Sequence, residues 1–222
     1  MDTEWRVQRV VTSVEGDVGQ AAIAWKCLGG GDGDAFASKL TQVYNVKFIP
    51  APATSTKDAQ YEYEGKLLRA SILDRGDEIR NRVGILGGDG GATAATDGAG
   101  VMLSWDPQVS PNLLTYARNN GKNASPIELK VVQRKIEPPS ELGFGSNELY
   151  RIQSSVMGGS TNNNVYRCAR VKRRFRRGFD EATGKRIIDG IEIVTTYRVL
   201  DGVAGIEMPT STCKSRIRMT QL

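Results

Sequence analysis

Arginine dominates the run Val165-Tyr166-Arg167-Cys168-Ala169-Arg170-Val171-Lys172-Arg173-Arg174-Phe175-Arg176-Arg177, and its chemistry is anion binding. A guanidinium carries a permanent positive charge and a planar fork of donors that matches carboxylate or phosphate oxygens. The strand period of two divides the run into two faces. Val165, Arg167, Ala169, Val171, Arg173 and Phe175 share one parity, and Tyr166, Cys168, Arg170, Lys172, Arg174 and Arg176 share the other. The second face is mostly cationic and is suited to an acidic partner. The chain contains no histidine, which excludes a Ser-His-Asp triad, a Cys-His dyad and a histidine metal site. No set of side chains in the sequence makes a catalytic motif. The three cysteines, Cys27, Cys168 and Cys213, lie too far apart for a zinc site and are odd in number for a disulfide framework.

Holding such a face flat requires a hairpin within a larger sheet. The run is followed by the turn Asp180-Glu181-Ala182-Thr183-Gly184-Lys185 and a second β-patterned run, Ile191 to Val199, so residues 165–199 read as a basic β-hairpin. Further strands are predicted over 4–13, 20–28, 45–50, 59–72, 78–86, 101–105, 127–136, 148–156 and 215–221. A helix is predicted over 34–43, and 111–118 reads as a short helix or an irregular segment. Residues 87–100, rich in glycine, alanine and threonine, are predicted to form a flexible loop. Arg75-Gly76-Asp77 reads as turn chemistry, and Asn123-Ala124-Ser125 fits a glycosylation acceptor without a visible secretory signal. Strands at this spacing with one or two short helices predict an all-β antiparallel barrel or sandwich, one domain over residues 1–222. No apolar run reaches transmembrane length, so no membrane insertion is expected.

The chain has 222 residues, with 30 Lys and Arg against 25 Asp and Glu, a formal charge of +5. The excess is modest, so its local concentration decides what it can bind. Three readings of the arginine strand are open. It is a solvated face, a nucleic-acid patch with Tyr166, Phe175 and Phe179 interleaved, or an interface to an acidic protein. The absence of a recognition helix or an RNA motif weighs against nucleic acid.

Trp5-Arg6-Val7-Gln8-Arg9-Val10-Val11-Thr12 resembles the opening strand of the S/U-type phycobilin lyases, a family of lipocalin-like (calycin) barrels that begins with Trp-x-x-Gln-Arg. Trp105 resembles the family's mid-chain strand tryptophan. Gly143-Phe144-Gly145-Ser146-Asn147-Glu148 is similar to its Gly-aromatic-x-Glu turn. Val194-Thr195-Thr196-Tyr197 is similar to its Leu-Thr-Thr-x-Tyr strand, and Cys213 to Arg218 to its closing strand. The matches are short, lie in the family's order and span the chain. Two departures bear on activity: Thr12 stands where the family has a histidine, and Arg216-Ile217-Arg218 replaces its Glu-Ile-Arg ending.

The resemblance implies an antiparallel calycin-type β-barrel and partners among the acidic phycobiliproteins or other linkers. The setting would be the plastid stroma at the thylakoid surface or the cyanobacterial cytoplasm. Loss of the acid and the histidine, with gain of a cationic strand, favours a phycobilisome-associated structural or linker protein that requires no cofactor. Its docking residues would be Arg170, Lys172, Arg174 and Arg176, helped by Arg173 and Arg177, with Phe175 and Phe179 as apolar contacts. The alternative is a phycobilin lyase attaching a bilin to phycobiliprotein cysteines. That enzyme would hold the phycobilin with Arg9, Arg151, Arg198 and Arg218 and pack it with Trp5, Trp105 and Tyr197. A second alternative is a basic viral shell or nucleic-acid-binding β-protein.

Overall fold

The computed structural model describes residues 4–30, 36, 41–50, 60–63, 66–69, 71–85, 102–117, 126–140, 143–155, 164–200 and 203–222. In chain order the elements are β1 (Glu4–Gly16), α1 (Val18–Cys27), β2 (Gln42–Pro50), β3 (Gln60–Tyr63), β4 (Lys66–Arg69), β5 (Ser71–Leu73) and α2 (Arg75–Ile85). They continue as β6 (Met102–Ser104), β7 (Leu113–Ala117), β8 (Pro126–Ser140), β9 (Gly143–Ser155), β10 (Asn164–Phe179), β11 (Arg186–Leu200) and β12 (Val203–Gln221). Ten strands form one antiparallel sheet in the order β5-β2-β1-β12-β11-β10-β9-β8-β7-β6, and β3 pairs with β4 as a separate ribbon. The sheet curls into a half-barrel, the all-β, antiparallel, barrel-like fold that the strand pattern predicts. Among the described residues no ladder joins β5 to β6; α2 packs against β2 towards one edge and against β6 at the other.

Alternation decides which side chains fill the concave side. Val7, Arg9 and Val11 of β1, Ser215, Ile217 and Met219 of β12, and Val171, Arg173 and Phe175 of β10 point into it. Two bulges, between Val11 and Ser13 and between Val131 and Gln133, each insert one residue and shift the parity. The second bulge is why both Val131 and Arg134 face inward. One apolar cluster gathers Trp25, Phe36, Ile79, Tyr116, Ile152 and Val194 under the two helices. A second joins Val7, Tyr44, Val46, Phe175, Ile217 and Met219.

Several predicted elements differ. Residues 20–28 lie mostly in α1 rather than in a strand. Asp17 caps that helix by accepting a 3.0 Å hydrogen bond from the Gln20 N–H, and Ala21, Ala24 and Trp25 are buried at helical spacing. Of residues 78–86, read as a strand, 78–85 belong to α2. Arg75-Gly76-Asp77 is the first turn of that helix rather than a loop turn, capped by Asp74 through the Asp77 N–H at 2.9 Å. Within 111–118, residues 113–117 form β7, with Leu114 and Tyr116 inward. Within the span 59–72 the described residues form β3, β4 and the start of β5. Phe36 is helical and buried and Val43 lies in β2, while most of the predicted 34–43 helix lies outside the described residues. So do the 87–100 loop and Asn123-Ala124-Ser125.

Candidate functional site

The two faces of β10 lead to two different charged surfaces. On the concave side a buried belt of ions lies between the apolar clusters. Arg173 Nε donates to Glu192 Oε2 at 2.7 Å and its guanidinium lies 3.7 Å from Glu78. Arg9 donates to the other Glu192 oxygen from the far end of the chain. Glu148 accepts from Arg75, from Arg134 at 2.7 Å and from the Tyr150 hydroxyl at 2.6 Å. Strand register explains these pairs, because Arg173 stands directly opposite Glu192 and Arg134 directly opposite Glu148.

Burial alone would push the Glu148 carboxyl up, but Arg75, Arg134 and Arg173 outweigh it and hold it at about 2. Glu192 is likewise held at about 2, where Arg9, Arg173 and Arg82 overcome its burial. Burial pulls the Arg173 guanidinium down, yet Glu78, Glu192, Tyr150 and Glu148 together raise it well above its ordinary value. Burial raises the Tyr150 and Tyr44 phenols, so both stay neutral donors. Glu148 and Glu192 are therefore ionised at neutral pH.

The convex side is different. Residues of β10, β11, β12 and β1 line up there in cross-strand rows. Lys172 stands opposite Ile193, which stands opposite Lys214. Arg174, Ile191, Arg216 and Val10 form the next row, and Arg176, Asp189, Arg218 and Gln8 the third. Adjacent strands are about 4.8 Å apart and alternate residues about 7 Å, so the cations make two columns about 10 Å apart. Lys172, Arg174, Arg176, Lys214, Arg216 and Arg218 are all exposed. Their own carboxylate contacts are loose: Arg174 lies 3.7 Å from Glu137, Lys214 3.2 Å from Glu15, and Arg218 3.9 Å from Asp180 and Asp189. Ile191, half exposed, sits in the middle of the lattice, where a shallow groove of about 660 Å³ runs between β10 and β1. At about 7–10 Å in water, two like charges repel by only about 0.4–0.6 kcal/mol, so the face persists without its partner.

Of the expected docking residues, Lys172, Arg174 and Arg176 are on this face and Arg170 is half-buried beside it. Arg173 and Phe175 are not surface contacts. Arg173 is turned inward into the ion belt, and Phe175, 7% exposed, packs in the second apolar cluster against Phe144. Arg177 is exposed over the Phe144 ring and Phe179 is exposed at the hairpin end. Sequence reasoning missed Lys214 and Arg216, whose alternation with buried Cys213, Ser215 and Ile217 was the available signal.

The residues proposed to hold a bilin do not converge. Arg9 is 2% exposed and bound to Glu192, while Arg218 is on the convex face. Arg151 and Arg198 are exposed on different strands, and Trp5 and Trp105 pack against different apolar clusters. Tyr197 lies on the outward parity of β11, opposite Cys168. Burial raises the Cys168 thiol, and raises Cys213 to about 11, so neither is primed as a thiolate. No helix among the described residues is long and apolar enough to cross a membrane. No family model, curated protein or solved structure matches the chain.

Proposed function

We propose that this chain is a binding protein that docks an acidic protein surface onto its convex sheet face. The three in-register rows of β10, β11 and β12 carry the reading, with cations in two columns around Ile191. Exposed ion pairs contribute about 0–1 kcal/mol each, so six cations steer and orient a partner more than they hold it. Covering Ile191, with Val10 and Ile193 beside it, supplies the apolar centre that a stable contact needs. A nucleic acid is the weaker fit, because the lattice is interleaved with aliphatic rather than aromatic side chains.

In the setting that the resemblance to phycobilin lyases implies, the partner is an acidic phycobiliprotein and the chain a linker of the phycobilisome. That setting is the plastid stroma at the thylakoid surface or the cyanobacterial cytoplasm. Triple substitution of Arg174, Arg176 and Arg216 by Glu is expected to abolish co-sedimentation with phycobiliproteins at low salt. Undiminished co-sedimentation would end the proposal. Free phycobilin mixed with the protein is expected to leave its absorption spectrum unchanged, whereas a red-shifted stoichiometric complex would favour a lyase.

A further inference from the structure

Among the described residues the concave ion belt is not balanced. Arg9, Arg75, Arg82, Arg134 and Arg173 bring five positive charges, and Glu78, Glu148 and Glu192 bring three negative ones. Arginine does not shed its proton at physiological pH, so a surplus of two is locked into a poorly solvated site. Buried guanidinium nitrogens without an acceptor among the described residues stand at both ends of the belt. They are Arg9 Nε and Nη1 and Arg82 Nε and Nη2 at one end and Arg134 Nη2 at the other, but the two ends are covered differently. At one end the Arg9 guanidinium lies 4.1 Å over the Trp25 ring, and Arg82 lies 5.4 Å from Trp25 and 5.5 Å from Tyr44. Aromatic faces stabilise the cations there, and Arg82 also donates to the Leu28 carbonyl at 2.8 Å.

At the other end a single carboxylate serves three guanidiniums. Arg75 and Arg134 both donate to Glu148 Oε1, while Tyr150 occupies Oε2 and Arg173 stands 4.0 Å from it. The Arg134 Nη2 atom is buried without an acceptor among the described residues. An unmet buried donor costs about 1–3 kcal/mol, more when it is charged. This end opens into a cavity of about 70 Å³ across the half-barrel, where Arg75, Arg134 and Arg173 meet Ser146 and the apolar walls Phe48 and Ile72. That space is far below the roughly 300–1,000 Å³ of a cofactor pocket. It suits one oxyanion.

We propose that this cleft binds a small tetrahedral oxyanion of the phosphate or sulfate class, held by Arg134 with Arg75 and Arg173. The site is on the opposite side of the sheet from the docking rows and stands independently of them. The test uses inorganic phosphate with the intact protein, against chloride at matched ionic strength. The expected result is a saturable rise in melting temperature with exchange broadening of the phosphorus NMR signal. Arg134→Met keeps the aliphatic stem and is expected to weaken phosphate binding by roughly tenfold or more, the loss of one charged hydrogen bond. Ser146→Leu fills the cleft while keeping all three arginines and is expected to remove the saturable effect, and it decides the matter should Arg134→Met not fold. An identical course in phosphate and chloride overturns the proposal, as does a phosphate effect that survives Ser146→Leu.

Discussion

Arg173 and Arg174 are neighbours in sequence and opposites in physics. Arg173 is enclosed, bound to Glu192 and drawn towards Glu78 and Glu148, whereas Arg174 stands two-thirds exposed with Glu137 at 3.7 Å. The difference is set by strand parity alone, and it divides one arginine run into a structural half and an interaction half. Inside, each ion depends on its partner, because a lone charge in low dielectric is costly. Outside, water screens each charge, and its value depends on what arrives.

The largest effect of any single substitution is expected from Glu192→Gln. It leaves Arg9 and Arg173 without their main counter-charge and should destabilise the fold by about 3–5 kcal/mol, read from the urea midpoint. Next comes acid. Glu148 and Glu192 titrate at about 2 when folded, against an ordinary 4.5, so each contributes about 3 kcal/mol that is fully present above pH 4.5. That contribution is lost as pH falls from about 4.5 to 2, and urea titrations across this window should show the fall. A flat profile would show that the belt does not act as an ionised network.

Gly190→Ala is expected to cost about 1–3 kcal/mol, seen as a lower melting temperature. The added Cβ would stand 2.3 Å from the Phe175 ring and 2.7 Å from the Arg174 carbonyl oxygen. This substitution tests whether the sheet tolerates any change in the layer between its two faces. The smallest stability effect, within about 0.5 kcal/mol, is expected for Arg174→Gln and Arg216→Gln. The same two substitutions should nonetheless slow association with an acidic partner and flatten its salt dependence, measurable by stopped flow. A stability loss as large as that of Glu192→Gln would erase the distinction between the faces.

The two-residue period made the hairpin legible, including its turn and both of its strands. It also carried the signal for Arg173, which shares its parity with buried Val171 and Phe175. The belt itself was not legible, because its acids stand at 78, 148 and 192 and meet only through strand pairing and the packing of α2. Helix α2 was hidden for a related reason: the face it buries includes Arg75, Glu78 and Arg82, so no apolar periodicity marks it. Helix α1 was mistaken for a strand because Ile23, a β-branched residue, is exposed on it while small alanines face the core. The bulges at 11–13 and 131–133 interrupt alternation where register matters most.

Strand β12 lies between β1 and β11, and Leu222 N–H reaches back to the Glu4 carbonyl at 3.1 Å. On the ribosome, β1 is made well before β12 and waits for it to complete the pairing. Arg9 meets Glu192, 183 positions away, only when that wait is over. Contacts so distant along the chain place the protein among slow folders. Until β12 is made, the borders of β1 and β11 that it covers stay open to other chains, and a chaperone helps most over that interval.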